Sequence, residues 1–221
     1  MAVQLRINVP QHSLIRHWLG VARDGSTPSP LFRTAMTELG RWLTYEAMRD
    51  ESTGSWLPTR DERLETPLGN CSATFIDPDI PVAVIPILRA GLTLLEGAQG
   101  LLPLARVYHI GVFRNEETLQ PTCYLNKLPN EFSPSTRVLI SEPMMATGGT
   151  IGLTLEELVN RGVNPSLIRI ISVVVAPPAL QTLAARFPSL NIYTAAIDEQ
   201  LNEQGFIVPG LGDAGDRAFG T

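Results

Sequence analysis

The stretch Glu142-Pro143-Met144-Met145-Ala146-Thr147-Gly148-Gly149-Thr150 has the residue types and spacing to hold a phosphate. A β-prone apolar run, Val138–Ser141, leads into it, and Ile151, Leu155, Leu158 and Val159 follow at the i, i+4, i+7, i+8 spacing of a helix. Glycines let a backbone approach an anion and take left-handed dihedrals. A helix start adds unpaired N–H groups and the positive end of its dipole, and Thr147 and Thr150 add hydroxyl donors. Glu142 cannot hold an anion. At the carboxyl end of a strand it is suited to accept hydrogen bonds from sugar hydroxyls, so the stretch reads as a site for phosphate plus ribose. A plain Gly-rich strand–turn–helix is the competing reading. The spelling excludes a Walker-type loop, and the lack of G-x-G-x-x-G before the helix weakens a dinucleotide reading.

Two arginines offer further anion chemistry. Pro86-Ile87-Leu88-Arg89-Ala90-Gly91 is a strand that ends in a guanidinium beside two small residues, a fork able to bind a bulky anion bidentately. A solvated arginine at a turn is the alternative. Gly111-Val112-Phe113-Arg114 ends the same way and opens a polar excursion in which Thr122–Leu125 forms one hairpin arm. Leu119–Pro129, with Lys127, reads as a flap or as an exposed hairpin at a subunit contact. The tail, Gly205-Phe206-Ile207-Val208-Pro209-Gly210-Leu211-Gly212-Asp213-Ala214-Gly215-Asp216-Arg217, is too rich in glycine for regular structure. It exposes backbone donors and acceptors suited to the edge of a flat heterocycle, and its apolar flanks argue against a loose end.

The elements that position these groups follow from periodicity. Val82–Leu88, Ala105–Phe113, Val138–Ser141, Leu167–Ala176 and Asn191–Ile197 are β-rich. Helical patterns occupy Leu92–Leu102, Gly149–Arg161 and Pro178–Phe187, preceded by helices around Ser13–Val21 and over Pro30–Asp50. Strands alternating with helices predict an α/β fold, a mainly parallel five-stranded sheet flanked by helices. The glycine-rich tail and the polar excursion add to it a carboxyl-terminal base-binding lobe and a flexible hairpin flap as expectations. Ligands of such sheets lie beyond the carboxyl ends of the strands, where Arg89, Arg114 and Glu142 fall. Ser55–Pro81 reads as irregular or edge strands. His109 lies in an apolar strand and reads as a core or edge histidine; His12 and His17 suggest no role.

With 221 residues the expectation is a single domain, 1–221. A formal charge of −5 without basic runs argues against nucleic-acid binding, and a polyphosphate would have to be met by a few placed cations. Cys71 and Cys123 form no metal or redox spacing. No apolar stretch approaches a bilayer span, and the first residues lack the pattern of a signal peptide, so no membrane association and a cytoplasmic location are expected.

Four ordered blocks make the chain resemble the uracil phosphoribosyltransferases, of the type I phosphoribosyltransferase fold. They are Pro86–Gly91; His109-Ile110-Gly111 with Arg114 and Glu117-Thr118-Leu119 through Lys127-Leu128-Pro129; Pro143–Thr150; and Tyr193-Thr194-Ala195 through Ile197-Asp198, Leu201-Asn202-Glu203 and Pro209–Asp216. The match is close from about Pro86 to Thr221 and looser from His12 to Asp50. It implies transfer of ribose 5-phosphate from 5-phosphoribosyl diphosphate (PRPP) to uracil, giving UMP and diphosphate with Mg²⁺. By position, it puts the ribose 5-phosphate and ribose hydroxyls on Glu142, Pro143, Met144, Met145, Ala146, Thr147, Gly148, Gly149 and Thr150. Arg89 and Arg114 would hold the diphosphate. Uracil would meet Ile207, Gly212, Asp213 and Ala214, with Asp213 also facing the diphosphate and reaching Mg²⁺ through water. A GTP effector and a homodimer or higher homo-oligomer are implied by the resemblance alone. The family pattern has Asp where this chain has Glu142, and an aliphatic residue at Ser141. Those two departures suit an alternative reading, a non-catalytic regulator that senses UMP or PRPP.

Overall fold

The structure is a computed structural model that describes residues 4–49, 55–114 and 121–221, with Arg114 described by its backbone alone. In chain order the elements are β1 (Arg6–Asn8), α1 (Ser13–Arg23), α2 (Ser29–Ala47), β2 (Thr59–Thr66), β3 (Gly69–Ile76), β4 (Val82–Leu88) and α3 (Leu92–Leu101). Next come β5 (Arg106–Val107), β6 (Ile110–Arg114), β7 (Pro121–Asn126), β8 (Arg137–Ser141), β9 (Met144–Met145) and α4 (Gly149–Asn160). The chain closes with β10 (Ile168–Val175), α5 (Pro177–Arg186), β11 (Asn191–Ile197), β12 (Gln200–Leu201), β13 (Ile207–Val208) and α6 (Ala214–Phe219).

The five β-rich runs supply the parallel centre of a sheet ordered β1-β11-β10-β8-β4-β6-β7. The sheet is wider than five strands because β1 joins β11 in parallel at one edge and β7 joins β6 antiparallel at the other. Neither edge strand carries the long apolar run of a strand buried on both faces. The Ala105–Phe113 run is interrupted: β5 pairs with the start of β4 and β6 with its end, leaving Tyr108 and His109 between them. His109 is half-buried there, and its carbonyl accepts from the Lys127 amide (2.9 Å) that follows β7.

Successive residues of one strand enter opposite cores. Val84, Leu139 and Ile171 pack with α1, α2, α3 and α6, whereas Ile85, Ile140 and Ile170 pack with α4 and α5. Every residue of β10 is buried. Two-sided burial explains why these strands read as unbroken apolar runs, and it fixes their carboxyl ends as a common rim.

Ser55–Pro81 contains a regular antiparallel hairpin, β2–β3, paired from Thr59↔Ile76 to Thr66↔Gly69. It is exposed along nearly its whole length, so charged Arg60, Asp61, Glu62 and Arg63 take the place of an alternating pattern. The hairpin expected around Thr122–Leu125 exists as β6–β7; Asn115–Gln120, at the flap's tip, lie outside the described residues.

Candidate active site

The phosphate loop is built by a break in the sheet. After β8 the chain kinks at Glu142-Pro143, and the Pro143 carbonyl accepts from the amides of Val173 (2.9 Å) and Val174 (3.1 Å). Met144 and Met145 then rejoin the sheet beside Val174 and Val175. Gly148 caps α4 at φ +85°, and a Cβ there would come within 3.2 Å of Ala179 Cα, so both the dihedral and the space call for glycine. The Thr182 hydroxyl donates to the Thr147 carbonyl (3.2 Å), bracing the loop from α5. From Gly149 to Ile151 the amides open α4 and have no acceptor among the described residues. They leave open donors at the positive end of a 12-residue helix, a geometry able to receive an anion.

Arg89 stands two residues before Gly91, and the Leu88–Arg89 peptide is cis. Gly91 lies so close to β8 that a Cβ would meet the Ser141 carbonyl oxygen at 2.4 Å. The buried Ser141 hydroxyl donates to the Gly91 carbonyl (3.2 Å). That bond ties the arginine turn to the strand feeding the Glu142–Thr150 loop. Arg89 reaches the tail, where its guanidinium donates to Asp216 (3.1 Å). Arg114 ends β6 opposite Pro121, whose ring lies 3.6 Å from where a Gly149 Cβ would stand. The base of the flap therefore abuts the phosphate loop.

The tail is more regular than its glycines suggest. Gln200–Leu201 pairs with Ile207–Val208 in a two-stranded ribbon, and Ala214–Phe219 is helical. Asp213 starts that helix: its Oδ1 accepts from the Asp216 amide (2.9 Å), leaving the second oxygen for other partners. Two clamps that carry no local sequence signal hold this lobe at the rim. Arg23 donates to both oxygens of buried Asp198 (2.6 and 2.9 Å) and to the Gly210 carbonyl (3.0 Å), while the Gly210 amide donates back to Asp198 (2.8 Å). Arg217 donates to the carbonyls of Ala22, Leu211 (2.7 Å) and Asp24 (2.6 Å), and its guanidinium lies 4.2 Å from the Phe32 ring centroid. The Ile197-Asp198 pair was legible as part of a block, but its partner lies 175 residues away.

The phosphate loop and the tail share one cavity of about 260 Å³. Glu142, Met144, Met145, Ala146, Thr147, Gly148, Gly149 and Thr150 line one side; Ile207, Gly212 and Asp213 line the other, joined by Gly205, Phe206 and Leu211. Of the expected residues whose side chains are described, three do not line it, and the Arg114 side chain lies outside the described residues. Pro143 is the buried kink, Ala214 is buried at the start of α6, and Arg89 stands beside α6.

Over residues 9–221 the sequence matches the family described as Uracil phosphoribosyltransferase. The chain belongs to the uracil phosphoribosyltransferase family. A uracil phosphoribosyltransferase of Nostoc sp. is 66% identical over the full length of both chains. The chloroplastic enzyme of Arabidopsis thaliana is 50% identical over 99% of this chain and 72% of its own. Among solved structures, the AQ2163 protein of Aquifex aeolicus superposes with a TM-score of 0.86 at 35% identity, covering 96% of this chain and 97% of that one. Among the described residues, no helix is long and apolar enough to cross a membrane.

In this member of the uracil phosphoribosyltransferase family, Glu142 is 8% exposed, and burial pushes its pKa up to about 8 against the opposing hydrogen bond from the Met144 amide. Ionisation of the unfolded chain near the ordinary carboxylate pKa of 4.5 therefore favours unfolding, while the folded chain keeps its proton. Stability falls as pH rises from the unfolded value to about 8 and is level above it, with a slope of about 1.4 kcal/mol per pH unit. Glu142→Gln removes this dependence. Its melting temperature should match the parent's at pH 4 and exceed it at pH 9; parallel melting curves across that range would refute the shift.

Proposed function

We propose that the protein transfers ribose 5-phosphate from PRPP to uracil, giving UMP and diphosphate, as a single 221-residue unit acting in the cytosol. The observation that carries this reading is the shared cavity: an anion nest and a backbone-rich lobe face each other across a space of about 260 Å³. The family match supplies the substrates' identity. In this reading the amides of Gly149–Ile151 and the hydroxyls of Thr147 and Thr150 grip the 5-phosphate, and Glu142 engages the ribose hydroxyls. Arg89 and Arg114 bind the diphosphate.

Cleavage of the C1–O bond leaves positive charge on the ribose ring and negative charge on the departing diphosphate. Arginine donors placed before the reaction stabilise the latter as it develops. Asp213, at the junction of both ligands, favours the cationic ring. A tail that holds uracil N1 in line with C1 supplies the orientational part of catalysis. Backbone groups around Gly212–Ala214 discriminate between bases: cytosine reverses the donor and acceptor at N3 and the neighbouring substituent, leaving buried groups unpaired.

The one ionised carboxylate on the wall, Asp213, suits a magnesium ion that arrives with its diphosphate. No group of three His, Cys, Asp or Glu side chains among the described residues is placed to hold a metal ion, and Glu142 and Asp213 stand singly on the cavity wall. Mg²⁺ commonly uses one or two carboxylates plus substrate oxygens and water. Asp213, with one oxygen committed to the α6 cap, would hold it through water with the other. When bound, the ion withdraws charge from the diphosphate oxygens. GTP regulation and self-association belong to this reading as family expectations.

The test is UMP formation from labelled uracil and PRPP, with and without Mg²⁺, with unlabelled cytosine, hypoxanthine and adenine as competitors. Mg²⁺-dependent UMP that only unlabelled uracil suppresses is expected. Absence of UMP, or equal suppression by another base, would overturn the reading.

A further inference from the structure

Arg89 reaches the carboxyl-terminal segment, where a Gly215 Cβ would stand 3.2 Å from Asp213 Oδ1 and 4.0 Å from an Arg89 Nη. One Nη donates to Asp216 Oδ1 (3.1 Å) and the other lies 3.4 Å from the Thr221 hydroxyl, which itself bonds Asp216 Oδ1 (3.2 Å). Asp216 is fixed at both backbone ends, its amide by Asp213 Oδ1 (2.9 Å) and its carbonyl by the Gly220 amide (2.8 Å). The side chains of Arg89 and Asp216 are 53% and 51% exposed. A lone pair so exposed contributes little to stability, but a closed three-membered network restricts the fork. It occupies only part of the five-donor fork, and the remaining N–H groups are free to meet an anion.

We propose that Asp216, with Thr221, is a positioning residue that holds Arg89 in place for the departing diphosphate. This inference rests on the phosphoribosyl transfer proposed above. Asp216 also carries a negative charge beside the place where the diphosphate binds, so it opposes ground-state binding of PRPP. Its benefit is confined to the transition state, when charge on the leaving group grows and a fixed fork needs no reordering. The expected signature is a fall in kcat without a rise in KM. The same contacts tie the diphosphate end of the site to Asp213, and through it to the base lobe.

Asp216→Asn should lower kcat about tenfold and leave the KM for PRPP unchanged or smaller. Asp216→Glu should recover most of the loss, and deletion of Thr221 should lower kcat about threefold. In an Arg89→Ala background, Asp216→Asn should have no further effect, because the two act as one unit. An unchanged kcat in Asp216→Asn, a KM that rises in proportion to the loss, or full additivity with Arg89→Ala would each overturn the proposal. Parent enzyme assayed alongside keeps the questions apart: no UMP from the parent defeats the functional reading, whereas normal parent turnover with unaffected variants defeats this one.

Discussion

Arg89→Ala should lower kcat by roughly 100- to 1,000-fold, the usual cost of removing a donor aimed at developing charge, about 3–4 kcal/mol. Folding should survive. Arg89 is half-exposed, its partners Asp216 and Thr221 are also solvated, and the change leaves no buried group unpaired. Single-turnover kinetics with labelled PRPP, alongside a thermal melt, would measure both quantities. The loss should fall mainly on the chemical step. A variant that keeps parental turnover would remove Arg89 from the leaving-group site and leave the phosphate loop as the main anchor of PRPP.

Asp198→Ala should have the largest effect on stability. The carboxylate is 4% exposed and serves three donors: both Nη groups of Arg23 and the Gly210 amide. Its removal strands a partly buried guanidinium and an amide, a change that typically costs about 3–5 kcal/mol. For a chain of this size that is a fall of roughly 6–20 °C in Tm. Gly210 lies between β13 and the Gly212–Ala214 backbone, so the damage should reach the base subsite first. The KM for uracil should rise more than the KM for PRPP at temperatures where the protein stays folded. Asp198→Asn keeps an oxygen for the Gly210 amide and should fall between the two. A melt within 2 °C of the parent for Asp198→Ala, on the same scale, would show that Arg217 alone secures the lobe.

Some of this architecture is local and was therefore legible. β4, β8, β10 and β11 are apolar because both faces are buried, and α3 and α4 have the 3.6-residue period of helices covering a sheet. The phosphate loop is compact enough, from Glu142 to Thr150, for its chemistry to be spelled in consecutive residues. Other features carry no such signal. The β2–β3 hairpin buries almost nothing, so no alternation marks it. In α6, short and glycine-containing, the start depends on a cap from Asp213 that composition does not announce.

Residue types and spacing put Glu142 and the strand-end Arg89 and Arg114 at the carboxyl rim of the sheet and marked the glycine-rich tail as ordered. Tertiary structure alone decided how they meet. Arg23 finds Asp198 at a sequence separation of 175, and Arg89 finds Asp216 at one of 127. The proton held by Glu142 is likewise a property of burial, since a carboxyl group gains it only when the surrounding sheet and loop exclude water. Periodicity reports which face of an element is apolar. Which distant polar groups share a desolvated space is fixed only when the layers close.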